Sequence, residues 1–221
     1  MRLNKWIASL TTYSRRNADE LITAGRVTLN GRTANLGDQV EATDEVRIDQ
    51  KLVRSKDVPK ITLLLNKPEG YVCSRKGQGA PTVYSLLPLK YHHLELAGRL
   101  DKDSTGLVLL TSDRDMLFTL THPSSEKTKT YRVTLENALS EGYRQTIVRE
   151  GITLDDGISK FDVEIITEDR KLVEVTMHEG RNRQIRRTFD RMGNRVTALE
   201  RIKIADYKLG GLASGEFVLA K

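Results

Sequence analysis

Apolar positions fall into two rhythms along this chain. At the N-terminus Leu3, Ile7 and Leu10 recur at helical spacing, Ser14 stands where it would cap a second helix carrying Ala18, Leu21 and Ile22, and Gly25 would end that helix. The stretch RVTLNGRTAN then predicts a hairpin, since Asn30-Gly31 supplies the positive φ of a two-residue turn, and EVRID over 45–49 adds a further strand. Residues 51–60, KLVRSKDVPK, are charged, hold Pro59 and lack a period, so they read as a linker. From Ile61 onward strand-like runs dominate, namely ITLLLN, GLVLLT, KTYRVTL, KFDVEII and KLVEVTM, with the helical patterns DRDMLFTL and EGYRQTIVREG between them. The expected class is α+β, with a small two-helix and short-strand module over 1–56 and a larger domain over 57–221.

The segment HEGRNRQIRRTFDRMG, 178–193, predicts a helix that follows Gly180 and stops at Gly193, with Ile185, Phe189 and Met192 as one apolar stripe. Arg183, Arg187 and Arg191 recur every four residues and face outward. Arg186 lies at the edge of the stripe, where a half-buried guanidinium needs a carboxylate partner.

Charge changes the picture through its placement. The 221 residues carry 36 Lys and Arg against 30 Asp and Glu, a net +6. From His178 to Lys203 eight Lys or Arg face three acids, so one segment holds most of the excess, as a polyanion footprint or a solvated helix face. Between Arg2 and Lys56 ten cations face seven acids, and there too the charges read as phosphate contacts or as ordinary solvated ones. Cys73 is the only cysteine, which excludes an internal disulfide and a cysteine-rich zinc site and fits a reducing cytoplasm. The N-terminus lacks an apolar signal core, and no apolar run approaches the roughly 18 residues of a membrane span, so a soluble cytoplasmic protein without a membrane partner is expected. Phosphate-loop, dinucleotide-binding and zinc-deaminase motifs are lacking, so neither a cofactor nor a metal is expected.

Residues 98–113, GRLDKDSTGLVLLTSD, carry the candidate chemistry. Asp101 sits between Arg99 and Lys102, which favour its ionised form, just before the run Leu107 to Leu110, which suits a buried strand. Residue types alone leave other readings open. An Asp after a turn often caps a helix or closes a loop, and Asp101 with Asp103 has the makings of a glycosidase couple or a metal site.

The same segment resembles the active-site motif of RNA pseudouridine synthases, in the branch with Gly-Arg-Leu-Asp, Thr-Gly, an aliphatic run and Thr-x-Asp, although Arg114 stands where Gly is common. Asn66-Lys67-Pro68-x-Gly70 followed by Tyr71 to Ser74 is similar to the family's first motif, a structural support of the site. The resemblance implies a mixed, largely antiparallel sheet crossed by a cleft. It implies isomerisation of uridine to pseudouridine in ribosomal RNA without a cofactor, large-subunit RNA being slightly preferred on the run EGRNRQIRR. Asp101 would be the nucleophile, at C1′ or at C6. Tyr131, in Lys129-Thr130-Tyr131, would stack on the target uracil, and Arg186 of Gln-Ile-Arg would pair with Asp101. Arg99 would fill the gap left by the flipped nucleotide, with Arg183 and Arg187 also on the substrate.

The front module is similar to the RNA-binding module first known from the small-subunit ribosomal protein numbered four, through Arg2-Leu3, Ser14-Arg15, Gly25, Val27 and Asn30-Gly31. Arg2, Lys5, Arg15, Arg16, Arg26 and Arg32 would then contact phosphate. The implied partner is ribosomal RNA or a pre-ribosomal particle, and one site per chain makes a monomer the simplest arrangement. The competing reading is a non-catalytic RNA-binding ribosome-assembly factor; a carboxylate hydrolase using Asp101 and Asp103 is a third.

Overall fold

The computed structural model describes all residues except 12, 42, 54–59, 78, 123–126 and 221. Contacts divide the chain into two compact units, 1–59 and 60–221. The smaller consists of α1 (Leu3–Leu10), α2 (Arg15–Thr23) and a sheet of β1 (Val27–Leu29), β2 (Arg32–Thr33), β3 (Val46–Ile48) and β4 (Lys51–Leu52) in the order β2-β1-β3-β4. Leu3 and Ile7 pack with Ala18, Leu21 and Ile22 against Val27, Leu29, Val46 and Ile48. The Ser14 hydroxyl accepts from the Asn17 N–H at 3.1 Å, capping α2 as its position predicts. Asn30 and Gly31 take φ of 52° and 81°, the left-handed pair of the expected turn. Lys51 and Leu52 pair with β3, so the expected linker gives up its first two residues to the small sheet. Residues 54–59 of that linker lie outside the described residues.

The larger unit contains β5 (Thr62–Lys67), β6 (Glu95–Leu96), β7 (Thr105–Thr111), α3 (Arg114–Thr121), β8 (Lys129–Leu135), α4 (Glu141–Arg149), β9 (Ile152–Leu154), β10 (Gly157–Ser159), β11 (Asp162–Ile165), β12 (Leu172–Met177), α5 (Gln184–Arg191), β13 (Val196–Ile204), β14 (Tyr207–Lys208) and β15 (Phe217–Leu219). Its main sheet runs β11-β12-β8-β13-β7-β5-β15, with β6 beside β7 and β14 beside β13, while β9 and β10 form a separate hairpin. Among the described residues every pairing between these strands is antiparallel except that of β13 with β7, which run parallel. The mixed, largely antiparallel expectation therefore holds.

Both faces of β7 are covered, which explains its unbroken apolar run. Val108 and Leu110 join Leu63, Leu65, Val133, Ile185 and Phe189 on one face, and Leu107 and Leu109 join Leu120 and Ile204 on the other. On β12 burial alternates, with Val173, Val175 and Met177 inward. Helix α5 begins at Gln184 rather than just after Gly180, because Arg183 adopts a left-handed conformation (φ 47°, ψ 31°) at its start. Gly193, at φ 69°, stops it as expected.

Strand β13 departs from the sequence reading, which takes His178 to Lys203 as a basic segment with a helix up to Gly193 and no strand after it. Nine of those and adjoining residues, Val196–Ile204, cross the middle of the sheet. Register shifts between Val196 and Ala198 and between Arg201 and Lys203 put Val196, Leu199, Arg201 and Ile204 inward. Two such irregularities break the period-two pattern by which a strand is recognised.

Where β13 meets β7, Gly106 lies opposite Arg201 with φ 99°. A Cβ on Gly106 would stand 2.4 Å from the Arg201 carbonyl oxygen and 2.7 Å from its nitrogen. Gly106→Ala therefore combines backbone strain with a clash and should cost about 2–4 kcal/mol. A lowered urea midpoint by far-ultraviolet circular dichroism is the expected result; a midpoint equal to wild type would mean the crossing has room to relax.

Candidate active site

The site is a short loop held by charge. Three cations from three elements donate to the backbone carbonyls of residues 99–104. Lys67, at the end of β5 and fully buried, donates from Nζ to the carbonyls of Ser104 (2.6 Å), Pro68 (2.9 Å) and Lys102 (3.3 Å). Burial pulls its ammonium below the ordinary lysine pKa. Arg186, in α5, donates from Nη2 to the Asp103 carbonyl at 2.9 Å and from Nη1 to the Val196 carbonyl at 3.0 Å. Arg201, in β13, donates from Nη1 to the Arg99 carbonyl at 3.2 Å and from Nε to that of Leu107 at 2.8 Å. The loop also closes on itself through Ser104 N–H to the Asp101 carbonyl, and the buried Cys73 sulfur accepts the Leu100 N–H. Burial raises the Cys73 thiol pKa, which keeps it protonated.

Two carboxylates stand at the mouth of this loop. Asp101 is 39% exposed in its side chain, so it is open to a substrate; its Oδ2 lies 3.8 Å from Arg183 Nη1. Arg183 makes its stronger contact with Asp103, donating through both terminal nitrogens at 3.0 and 2.9 Å. That pairing holds the Asp103 carboxyl below the ordinary aspartate pKa.

The expected Arg186–Asp101 pair is not formed. Arg186 Nε stands 3.4 Å from Asp103 Oδ2, because the turn over 101–104 presents the carbonyl and carboxylate of Asp103, not the side chain of Asp101, to the buried face of α5. Arg183 is the cation beside Asp101.

Tyr131 is 7% exposed and lies opposite Arg201 on β13, which in turn lies opposite Gly106 on β7. Strand spacing puts its Cα about 10 Å from that of Gly106, in one row across the sheet. Arg99 is exposed, and among the described residues its side chain has no carboxylate partner.

The outward arginines of α5 are not free. Arg187 bonds both oxygens of Asp156 (2.7 and 3.1 Å), Arg191 reaches Asp155 at 3.2 Å, and Arg181 clamps the same β9–β10 hairpin through Asp156, Gly157 and Ile158. These two acids and Arg201 are the residues that sequence reasoning missed. The hairpin was signalled by Asp156-Gly157 between Leu154 and Ile158; Arg201 carried no signal. In the smaller unit Arg26 pairs with Asp49 and Arg32 with Asp38, whereas Arg2, Lys5, Arg15 and Arg16 are exposed and have no ion pair among the described residues. No helix among the described residues is long and apolar enough to cross a membrane, and none of their His, Cys, Asp or Glu side chains form a group of three that could hold a metal ion.

Fold and site define a class. Residues 61–191 match the RNA pseudouridylate synthase family, and residues 1–46 match the S4 domain. The chain belongs to the RNA pseudouridylate synthase family. It is 37% identical over 228 residues to a ribosomal small subunit pseudouridine synthase A of Pasteurella multocida, covering 98% of this chain and 94% of that one. It is 34% identical over 211 residues to a ribosomal large subunit pseudouridine synthase B of Pseudomonas aeruginosa, covering 91% and 54%. The chain thus spans about half the length of that large-subunit relative. A crystal structure of a pseudouridylate synthase superposes with a TM-score of 0.71 at 32% identity, over 100% of this chain and 96% of the other.

Asp103 carries a testable electrostatic consequence. Its depressed pKa means the carboxylate stabilises the fold above the unfolded value of about 3.9 and loses that contribution as pH falls through the lower folded value. Asp103→Asn should cost about 1 kcal/mol at pH 7, the half-exposed oxygens being screened. By urea unfolding, the deficit should shrink as pH falls below about 3.9; an equal deficit at pH 7 and in acid would contradict the assignment.

Proposed function

We propose that this chain isomerises uridine to pseudouridine in ribosomal RNA, with Asp101 as nucleophile. One observation carries the reading: a half-exposed carboxylate stands at the mouth of a loop whose backbone is held by three cations, in a chain of this family. The reaction breaks the bond from C1′ to N1, turns the uracil, joins C1′ to C5 and balances the proton lost from C5 with one taken up at N1; the bond to Asp101 forms before the uracil turns and breaks afterwards, which regenerates the carboxylate. No electrons are transferred and no phosphate is consumed. Asp101 attacks C1′ as the base departs, or C6 of the ring; both routes use the same ionised oxygen.

The remaining residues take roles around it. Arg183 keeps positive charge beside the carboxylate, and Arg186 holds the loop through Asp103. Tyr131 offers its ring to the flipped uracil, and Arg99, exposed and unpaired with any described carboxylate, fills the place the nucleotide leaves. Residues 1–56 bind RNA backbone through Arg2, Lys5, Arg15 and Arg16, with Arg26 and Arg32 reaching phosphate only in exchange for Asp49 and Asp38; residues 57–221 carry out the catalysis. The partner is ribosomal RNA or a pre-ribosomal particle, the chain acts as a monomer, and its place is the cytoplasm. The run EGRNRQIRR supports large-subunit RNA; the near-complete coverage of the small-subunit relative supports a second reading, with small-subunit RNA.

Asp101→Asn should abolish tritium release from ribosomal RNA labelled at uracil C5, by at least about 10³-fold, while leaving the Kd for that RNA within about twofold. Unchanged release would transfer the nucleophile elsewhere, and no release from wild type would favour the non-catalytic assembly factor. A second outcome concerns Arg187 and Arg191, which phosphate must win from the hairpin acids. Neutralising Asp155 and Asp156 together should tighten RNA binding and steepen its log–log salt slope by roughly 1.5, about 0.7–0.9 per freed arginine; an unaltered slope in filter binding would place these arginines away from RNA.

A further inference from the structure

We propose that Arg201 is a positioning residue for Asp101, tying the two ends of the catalytic loop together. The inference rests on the isomerase reading above. Arg201 is 2% exposed and sits mid-strand in β13, facing Tyr131 on one neighbour and Gly106 on the other. Its two acceptors bracket the loop. Nη1 holds the carbonyl of Arg99, two residues before Asp101, and Nε holds that of Leu107, just inside β7. Gly106 permits this reach, because the missing Cβ lets the β13 backbone approach β7 closely enough for the guanidinium to pass beneath the loop.

Stability does not ask for a charge here. Among the described residues no carboxylate lies within ion-pair distance of Arg201, and its Nη2 is buried without a hydrogen-bond partner. A buried guanidinium satisfied by two carbonyls and no carboxylate is worse for the fold than an apolar side chain of similar length. Its presence is explained by what it holds. Lys67 and Arg186 secure the later part of the loop through Lys102, Asp103 and Ser104, so among the described residues Arg201 alone ties the Arg99 carbonyl. Releasing it loosens the limb that leads into Asp101 and carries the exposed Arg99 side chain. The effect falls on alignment with the reacting atoms, not on affinity for RNA.

Arg201→Met and Arg201→Lys in the full chain test this. Arg201→Met should lower kcat for C5 tritium release by roughly 10–100-fold with KM within about twofold, since ångström-scale misplacement costs turnover before binding. Its thermal midpoint should equal or exceed that of wild type. Amide hydrogen exchange over residues 96–106 should speed up, a readout independent of activity. Arg201→Lys keeps the charge but cannot span both carbonyls, so most of the kcat loss should persist; it decides the matter should Arg201→Met not fold. Wild-type kcat with unchanged exchange in the folded variant would overturn the proposal, as would a kcat loss accompanied by a lower thermal midpoint. An inactive wild type whose loop exchange still rises on substitution would remove the isomerase reading and leave the loop tie standing.

Discussion

Where Asp101 can stand depends on positive charge placed beneath its own backbone. Lys67, Arg186 and Arg201 come from β5, α5 and β13, far apart in the chain, and their donors converge on carbonyls between Arg99 and Ser104 and on Leu107. Inside a protein such charge-assisted hydrogen bonds are stronger and more directional than in water, and they fix a loop that has no regular structure of its own. The sheet topology serves this convergence. The parallel pairing of β13 with β7 sets the two strands side by side immediately after the loop, and only a glycine at 106 lets the backbones meet so closely.

Cations in this chain therefore do three different things. Buried ones hold carbonyls. Outward ones on and near α5 are matched by Asp103, Asp155 and Asp156, so the local excess of charge between His178 and Lys203 is largely neutralised where it is densest. Unmatched ones include Arg2, Lys5, Arg15 and Arg16 on the small helical pair and Arg99 beside Asp101, where a phosphate meets no competing carboxylate among the described residues. Under the proposed function, phosphate meets uncontested cations on the smaller unit, and on the larger unit it must displace the hairpin acids.

Legibility followed the strength of the local signal. The capping Ser14, the Asn30-Gly31 turn and the doubly covered run Leu107 to Leu110 each impose their conformation with little help from distant residues, and all were readable. The exposed loop that carries Asp101 was marked by its motif. The partners of the loop were not, because Arg186 chooses between Asp101 and Asp103 by the path of a four-residue turn, and β13 hides its burial behind two register shifts and an inward arginine. Long-range hydrogen bonds to carbonyls leave no trace in side-chain pattern, since any residue supplies a carbonyl.

The central claim is that Asp101, on a loop so held, converts uridine in ribosomal RNA. Its most direct test is mass-spectrometric mapping of pseudouridine, after cyanoethylation, in unmodified small- and large-subunit ribosomal RNA incubated with wild type or Asp101→Asn. A single new site with wild type and none with the variant is the predicted result, and the subunit in which it falls decides the substrate. The same site appearing with both proteins, or no site with either, would contradict the account.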